Sequence, residues 1–450
     1  MMTARPGTLS RRRMLGLAGA ALGVGAAGLV TGCGSPVAAG LAGAPANPGT
    51  TTFWNLWGGS DGKRAEAMYE AYRQSHGGPA SLEAITFAWG NPYYTKLSLA
   101  TISGRSPDVA VAHASRLPTL VRAGLVEEIT PADLAATNLA PESFTPTAWK
   151  AVNVDGTVRA LPFDVGPLVL YYNTDLCQKA GLLGPDGQLA PIQGVEAFEE
   201  ALAAGKQAGA KYGAVWAIGG DPASNWRWFQ TLYAQKNGTP FLSDNGHRVT
   251  FDEDKVAQTL EWLARMTGPE GYAPSSIDYA GSLSTFGSGD AAFLVVGVWE
   301  ITTMQEVGVP FGMTTFPQLF EAPAVWADSH VLVLPTQRGR SAESRTQTLE
   351  FVRFMLDESL TWAQGGSIPT LRPVLQSEEF GNLRPQADYA VAADQAVYDP
   401  PAWYAGAGSN FQIQVGAQVA LVQQRLASPR DAIAAMRSQL TRYADTPDPL

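Results

Sequence analysis

The chain has 450 residues, which is too long for one hydrophobic core and suits two lobes of roughly 100–200 residues each. Its formal net charge is −10 and no basic stripe lies outside the N-terminus, so nucleic acid is excluded as the expected partner. The composition includes 12 tryptophans, more than core packing normally needs. We expect some of them to form a flat apolar surface for a ligand.

An export signal is predicted over residues 1–33. Arginines at positions 11–13 precede a small, apolar run that ends at Thr31-Gly32-Cys33. This ending resembles a lipobox, in which small residues admit the signal peptidase and the cysteine thiol receives the lipid, so Cys33 is the predicted lipidation (palmitate) site. A true transmembrane helix is disfavoured because the apolar run stops at the cysteine and a polar linker follows.

Two more features of this region concern export and tethering. The sequence from Ser10 to Leu15 resembles a twin-arginine signal. Any basic leader gives paired arginines by chance, so Sec and twin-arginine export both stay open. Residues 34–50 are rich in Gly, Ala and Pro and predict a flexible tether with a reach of roughly 20–25 Å.

Residues 51–113 show the pattern of an α/β protein, in which strands, turns and helices alternate. A strand-like run over 51–57 leads into two glycines and a helix with apolar residues at helical spacing, and two more strands are predicted before residue 114. Ligands bind at the carboxyl ends of strands in such sheets. The candidates selected on this basis are Trp54, Trp57, Gly58, Trp89, Asn91, His113 and Arg116. Core packing is an equal alternative for Trp54, and a lone histidine such as His113 is more often structural.

Residues 161–176 predict the first passage of the chain between two lobes. Pro162 and Pro167 bracket four residues and impose extended geometry, so this piece is predicted to be a connector. The run that follows, 168–172, is continuously apolar and aromatic, as expected for a strand buried on both faces. Asp164 lies within the connector and is a candidate for binding ligand hydroxyls.

A second informative stretch, 286–300, predicts a loop, a buried strand and a Gly-x-Trp-Glu turn at the end of the strand. Gly297 permits close approach of the backbone. Trp299 can stack on a ring, while Glu300 can accept hydrogen bonds from hydroxyls. Both are therefore candidate ligand-binding residues.

The remaining candidates are mostly aromatic. Trp226, Trp228 and Phe229 cannot all face one side of a core, so at least one of them is expected to face a cleft. A return of the chain to the first lobe is expected at 312–317, and a third crossing at 365–372. The further candidates along these segments are Trp326, His330, Arg372 and Trp403.

Several separated motifs resemble one protein family. Residues 156–164 with Leu170-Tyr171-Tyr172-Asn173, and the stretch 286–300, are similar to segments of the family 1 extracellular solute-binding proteins, the maltose-binding-like receptors of ABC importers. The resemblance implies a two-lobed α/β fold of the type II periplasmic-binding class, with a hinge and a cleft that binds the ligand. The implied lobes are 51–162 plus 315–366 and 163–314 plus 367–450.

The same resemblance implies a function. The chain would be the substrate-binding lipoprotein of an ABC importer, capturing a carbohydrate or carbohydrate-like solute, such as a polyol, in the cleft. It would deliver this ligand to the transmembrane subunits of the permease. A monomer is expected, exported and lipid-anchored on the outer face of the cytoplasmic membrane. Which sugar it binds stays open.

Two alternatives belong to other classes of protein. A surface glycoside hydrolase is one, because carboxylates are plentiful, and a structural or adhesive surface lipoprotein is the other. The sequence has no Gly-x-Ser-x-Gly, Walker A, His-Glu-x-x-His or dinucleotide-binding motif, so no enzyme activity and no cofactor are predicted. Its four histidines lack the spacing of zinc ligands, and no metal is predicted.

Overall fold

The computed structural model describes residues 49–269 and 271–448, so the predicted signal peptide, Cys33 and most of the predicted tether lie outside the described residues. The strands are β1 Thr51–Asn55, β2 Leu82–Thr86, β3 Val109–His113, β4 Asn153–Val154, β5 Thr157–Val158, β6 Leu161–Pro162, β7 Asp164–Asn173, β8 Tyr212–Val215, β9 Leu242–Ser243, β10 Arg248–Val249, β11 Ala291–Gly297, β12 Phe311–Thr315, β13 Val325–Asp328, β14 His330–Val333, β15 Ile368–Pro369 and β16 Ala396–Val397.

The helices alternate with these strands. They are α1 Gly59–Ser75, α2 Asn91–Ile102, α3 Leu117–Arg122, α4 Pro131–Ala136, α5 Pro146–Val152, α6 Thr174–Lys179, α7 Val195–Gln207, α8 Pro222–Gln235, α9 Glu253–Met266, α10 Tyr279–Gly287, α11 Ile301–Val307, α12 Ala342–Asp357, α13 Ser359–Ala363, α14 Arg372–Leu375, α15 Glu378–Gly381, α16 Asn410–Gln423 and α17 Pro429–Ala444. In the described part of the chain, no helix combines the length and the apolar character needed to cross a membrane.

Local sequence explains where many of the helices begin. Asp252, Ser341, Ser409 and Ser428 precede α9, α12, α16 and α17, and each side chain accepts a hydrogen bond from the backbone N–H three residues ahead. These bonds satisfy amide groups that have no partner inside the helix.

The first lobe is built on a five-stranded sheet with the order β2-β1-β3-β14-β6. β1 runs parallel to β2 and β3, while β14 is antiparallel to β3 and β6. Helices cover the sheet, and one hydrophobic cluster that includes Phe53, Val111 and Phe351 fills the space between them.

The second lobe is built on a seven-stranded sheet that centres on β7. The main order is β16-β13-β7-β11-β8, and β12 and β15 also pair with β7. All but one of the ten residues of β7 are buried, as the apolar run at 168–172 predicted for a strand covered on both faces. A separate hydrophobic cluster, which includes Tyr171, Phe229 and Val415, forms the core of this lobe.

The chain passes between the two sheets at three places. It leaves β6 of the first sheet and enters β7 of the second through Phe163. It returns from β13 to β14 through Ser329, and the stretch between α13 and β15 leads to the second sheet again. The predicted lobe boundaries stay a proposal. β13 follows residue 315 but still pairs with β7 of the second sheet, so the strand pairings favour a second crossing at Ser329 instead of at residue 315.

Helices α8 and α16 pack closely in the second lobe because α16 has a glycine at the contact. A Cβ atom built on Gly416 would lie 1.8 Å from the carbonyl oxygen of Pro222. We therefore expect Gly416→Ala to lower the free energy of unfolding by about 1–3 kcal/mol, since the backbones must separate. Denaturant unfolding measures this. The matched control is Gly381→Ala at an exposed helical glycine with no atom near the added Cβ, where a change within about 0.5 kcal/mol is expected. Equal effects of both variants would contradict this packing.

Candidate functional site

A cavity of about 310 Å³ lies between the two sheets and is lined from both lobes. The first lobe contributes residues at or just beyond the carboxyl ends of its parallel strands, namely Trp57 after β1, Trp89 after β2 and His113 at the end of β3. This is where an open α/β sheet binds its ligands. The second lobe contributes Trp299 after β11, Trp326 on β13 and the N-terminal end of α8.

Four tryptophans line the cavity, and three of them are held by neighbouring groups. Trp57 packs on Trp362, with ring centroids 4.4 Å apart. The indole N–H of Trp299 donates to the Tyr279 hydroxyl at 2.8 Å, and that of Trp326 donates to Asp399 at 2.9 Å. Trp89 is held more loosely, with 44% of its surface exposed and its ring edge-on to that of His113, with ring centroids 6.2 Å apart. Aromatic faces in fixed orientations suit the apolar faces of a ring-shaped ligand.

Asp164 connects all three crossings of the chain. Its carboxylate follows the first crossing and accepts hydrogen bonds from the backbone N–H of His330 at 2.7 Å and from the His330 Nδ1 at 2.8 Å. The indole N–H of Trp362, just before the third crossing, donates to it at 2.6 Å. Asp164 is buried, so these donors replace the water that a charged carboxylate needs.

The pKa values of the two cavity histidines are shifted in opposite directions because their neighbours differ. Burial lowers the pKa of His330, but the charge and hydrogen bond of Asp164, together with the charges of Asp61 and Asp328, outweigh burial, so the pKa lies above its ordinary value. Burial, together with the positive charges of His330 and Arg116, holds the pKa of His113 well below its ordinary value. His113 is therefore neutral, and its Nδ1 lies 2.7 Å from the Tyr94 hydroxyl.

Two other carboxyl groups of the cavity are shifted toward the neutral form. Burial raises the pKa of Asp61 to about 6. Burial also raises the pKa of Asp328 to about 7, although Asp328 accepts hydrogen bonds from the Ser115 hydroxyl and from the backbone N–H of Ser329. Near neutral pH the cavity therefore carries less negative charge than it would if all of its carboxyl groups were ionised.

Arg227 brings a cation into the cavity from α8. The carbon of its guanidinium group lies 4.9 Å from the ring centroid of Trp326, 5.3 Å from that of Trp299 and 5.6 Å from that of Trp89. Contacts of this kind stabilise a cation by about 0.5–2 kcal/mol each. Trp89 belongs to the first lobe, so this cluster spans the gap between the lobes.

The structure brings eight of the sixteen predicted ligand-binding residues to this cavity. Those at the cavity are Trp57, Gly58, Trp89, His113, Asp164, Trp299, Trp326 and His330. Those away from it are Trp54, Asn91, Arg116, Trp226, Trp228, Glu300, Arg372 and Trp403. Contact of any of them with a ligand stays a prediction.

Each residue of the second group has an identifiable place. Trp54 packs on Phe87 inside the first lobe. Asn91, Arg116 and Trp403 line a neighbouring cavity of about 350 Å³. Glu300 accepts a hydrogen bond from the Tyr279 hydroxyl at 2.6 Å, and Arg372 begins α14.

Trp226 and Trp228 lie in the core of the second lobe together with Phe229, so none of the three faces the cavity. The physical reason is that α8 is covered on several sides by other elements, α16 and β13 among them, and a covered helix can bury aromatics in different directions. Arg227, between the two tryptophans in sequence, faces the cavity in their place.

Sequence reasoning missed several residues that line the cavity. These are Leu56, Asp61, Gly166, Asp221, Ala223, Arg227, Asp328, Ser367 and Ala407. Asp61 and Asp221 carried a usable signal, since each follows a strand and a pair of glycines at the start of a helix. Ser367 and Ala407 carried none, because tertiary folding alone brings their segments to the cavity.

Comparison with known proteins identifies the family. The model of the bacterial extracellular solute-binding proteins matches residues 67–383, and the chain belongs to this family, as the sequence motifs predicted. In the described residues, no cluster of metal-ligating side chains is present.

Two curated relatives are oligosaccharide-binding proteins. The chain is 23% identical to the maltotriose-binding protein of Pyrococcus abyssi over 291 residues, which cover 64% of this chain and 59% of that protein. It is 24% identical to the arabinooligosaccharide-binding protein of Halalkalibacterium halodurans over 214 residues, 47% of this chain and 44% of that protein. The matched stretches thus span less than two thirds of either relative.

Solved structures extend the similarity over most of the chain. The GacH receptor of Streptomyces glaucescens aligns with a TM-score of 0.71 at 18% identity, covering 87% of this chain and 98% of that one. Maltose-bound MalE3 of T. maritima aligns with a TM-score of 0.71 at 18% identity, covering 87% and 99%. At this identity the likeness concerns the fold, and it confirms the predicted two-lobed α/β architecture.

Asp164→Asn tests the role of the carboxylate at the crossings. Because the pKa of His330 is raised in the folded state, its ion pair with Asp164 stabilises the fold fully below about pH 6.5, and this stability is lost as the pH rises through the raised pKa. We expect the substitution to lower the pKa of His330, measured by NMR titration. It should also cost about 2–3 kcal/mol of unfolding free energy at pH 6 and less at pH 8.

The control for this experiment is Asp357→Asn, which removes an exposed partner of Arg353. Its effect should stay within about 0.5 kcal/mol at both pH values. An unchanged pKa of His330 in Asp164→Asn would contradict the role given to the carboxylate.

Proposed function

We propose that this protein is the solute receptor of an ABC importer and captures a carbohydrate in the cavity between its lobes. The observation that carries the proposal is the cavity itself, where four tryptophans from both lobes surround a set of buried polar side chains. Apolar ring faces pack on indoles, and carboxyl and imidazole groups bind hydroxyls. The sugar-binding relatives support the same choice of ligand class.

The proposed mechanism is closure of the lobes by rotation about the crossings. Three extended segments lie side by side where the chain changes sheets, so small backbone rotations there would move one lobe relative to the other. The lobes already touch through Arg64, which donates to Thr302 at 3.1 Å, and through Arg116, which donates to the carbonyl of Ala407 at 2.9 Å. Closure would hide the ligand and create the surface that the transmembrane subunits of the permease recognise.

The N-terminal sequence supports a place for this receptor at the membrane. Residues 1–33 would direct export, Cys33 would receive the lipid (palmitate among its acyl chains), and residues 34–50 would tether the folded part to the outer face of the cytoplasmic membrane. The paired arginines support twin-arginine export as one of the two routes. We propose that the receptor acts as a monomer and has no enzyme activity.

A thermal-shift screen against a panel of carbohydrates tests the proposed function. A ligand present at 100 times its dissociation constant should stabilise the protein by about 2.7 kcal/mol. Trp299→Ala removes one stacking face, and a tenfold loss of affinity would reduce this stabilisation to about 1.4 kcal/mol.

The matched control is Trp149→Ala. Trp149 is half-buried, stacks on Phe144 in the first lobe and lies outside the cavity, so the ligand shift should be unchanged. Equal losses in both variants would contradict the assigned site. Release of products from labelled oligosaccharides would favour a glycoside hydrolase instead.

The lipid anchor is tested with Cys33→Ser in the full-length chain. Serine keeps the size of the side chain and removes the thiol that accepts the lipid. We expect the variant to incorporate no radiolabelled palmitate and to leave the membrane fraction, whereas wild-type protein is labelled and sediments with membranes. Labelling of the variant would contradict Cys33 as the acceptor.

A further inference from the structure

We propose that Arg227 binds an anionic group of the ligand, so that the solute is an acidic sugar. This inference rests on the proposed function and makes its substrate class more specific. Arg227 lines the cavity and is only 8% exposed. It stands at the start of α8, among three of the four tryptophans that form the cavity walls.

The guanidinium group of Arg227 lacks the partners that a buried cation needs. Within residues 49–269 and 271–448, none of its nitrogens makes a hydrogen bond or an ion pair, and its Nε atom is sealed from solvent without a partner. Buried charges in proteins are normally paired and hydrogen-bonded. The three tryptophan rings lie close to the guanidinium, but a ring face does not provide the oxygen acceptors that its N–H groups bind best.

Two carboxylates of this region are already hydrogen-bonded to other donors, namely Asp399, whose charge interacts with that of Arg227, and Asp221, which lines the same cavity. Asp399 accepts hydrogen bonds from the indoles of Trp226 and Trp326 and from the Gln412 amide. Asp221 accepts from the backbone N–H and the hydroxyl of Ser224. The protein therefore leaves the N–H groups of Arg227 available to a ligand.

An anionic group fits this position better than a neutral hydroxyl or a cation. A carboxylate or phosphate accepts two parallel N–H bonds from the planar guanidinium and neutralises its charge. A hydroxyl adds no charge, so the guanidinium would keep only its longer-range attraction to Asp399. A cationic ligand group is disfavoured because Arg227 itself already occupies the space among the indoles.

The other carboxyl groups of the cavity do not prevent this binding. Asp164 is paired with His330. Burial raises the pKa of Asp328 to about 7, which reduces its charge near neutral pH, and that of Asp61 to about 6, which reduces its charge mainly in mildly acidic solution. These groups can accept hydrogen bonds from the sugar hydroxyls, while Arg227 binds the acid.

Titration calorimetry with matched sugars tests the proposal. The probes are glucuronate, galacturonate and glucose 6-phosphate, with glucose and galactose as neutral counterparts. We expect at least one acid to bind at least tenfold more tightly than its neutral counterpart. The uronate and phosphate arms distinguish a carboxylate from a phosphoryl group as the recognised anion.

Two substitutions separate recognition from a structural role. Arg227→Met should abolish the preference for the acid and change the melting temperature of the ligand-free protein little. Methionine still packs on the indoles, and the loss of the cation–π contacts offsets the removal of a buried cation that makes no hydrogen bond. Arg227→Lys keeps the charge, loses the planar fork, and should retain only part of the preference.

The outcomes distinguish this inference from the proposed function. Neutral sugars that bind as tightly as the acids would overturn the role of Arg227 and leave the sugar receptor standing. A marked fall in the melting temperature of ligand-free Arg227→Met would assign Arg227 to the fold and overturn the inference. Failure of every sugar to bind, in this set and in the wider panel, would overturn both proposals.

Discussion

One buried carboxylate stands where the two lobes are joined. Asp164 follows the first crossing, and it accepts hydrogen bonds from His330 after the second crossing and from Trp362 before the third. Burial of this carboxylate requires the donors from all three segments, because an unpaired charge at this depth would lower the stability of the fold. The architecture of the molecule therefore depends on a contact among residues that are far apart in sequence.

The cavity follows from the same arrangement. Because His330 lies at the start of β14 and Asp328 at the end of β13, the second crossing places an imidazole and a carboxyl group side by side at the gap. The parallel strands of the first sheet end at this gap and bring Trp57 and Trp89 to it. The segments that build the junction of the lobes thus also build the walls of the proposed ligand site.

Much of the fold was predictable because it depends on local patterns. The apolar run at 168–172 predicted a strand buried on both faces, and β7 is that strand. The Gly-x-Trp-Glu turn after β11 also follows a local pattern. It predicted Trp299 as a ligand-binding candidate at the end of a strand, and Trp299 lines the cavity there.

Other parts of the site depend on tertiary packing that the sequence does not display. Trp226 and Trp228 point into a core because α16 and β13 cover their helix, and Arg227 between them points into the cavity. The helical period gives the angles between neighbouring side chains, but it does not say which of them faces the core and which faces the cavity. Ala407 reaches the cavity only because the C-terminal segment packs across the gap, where its carbonyl accepts a hydrogen bond from Arg116.

The most direct measurement is a crystal structure of the protein with the saccharide that raises its melting temperature most. We expect the sugar in the cavity between the two sheets, with a ring face on at least one of Trp57, Trp89, Trp299 and Trp326. A sugar bound only beside Trp403 or on an outer surface, with this cavity filled by water, would contradict a ligand site between the lobes.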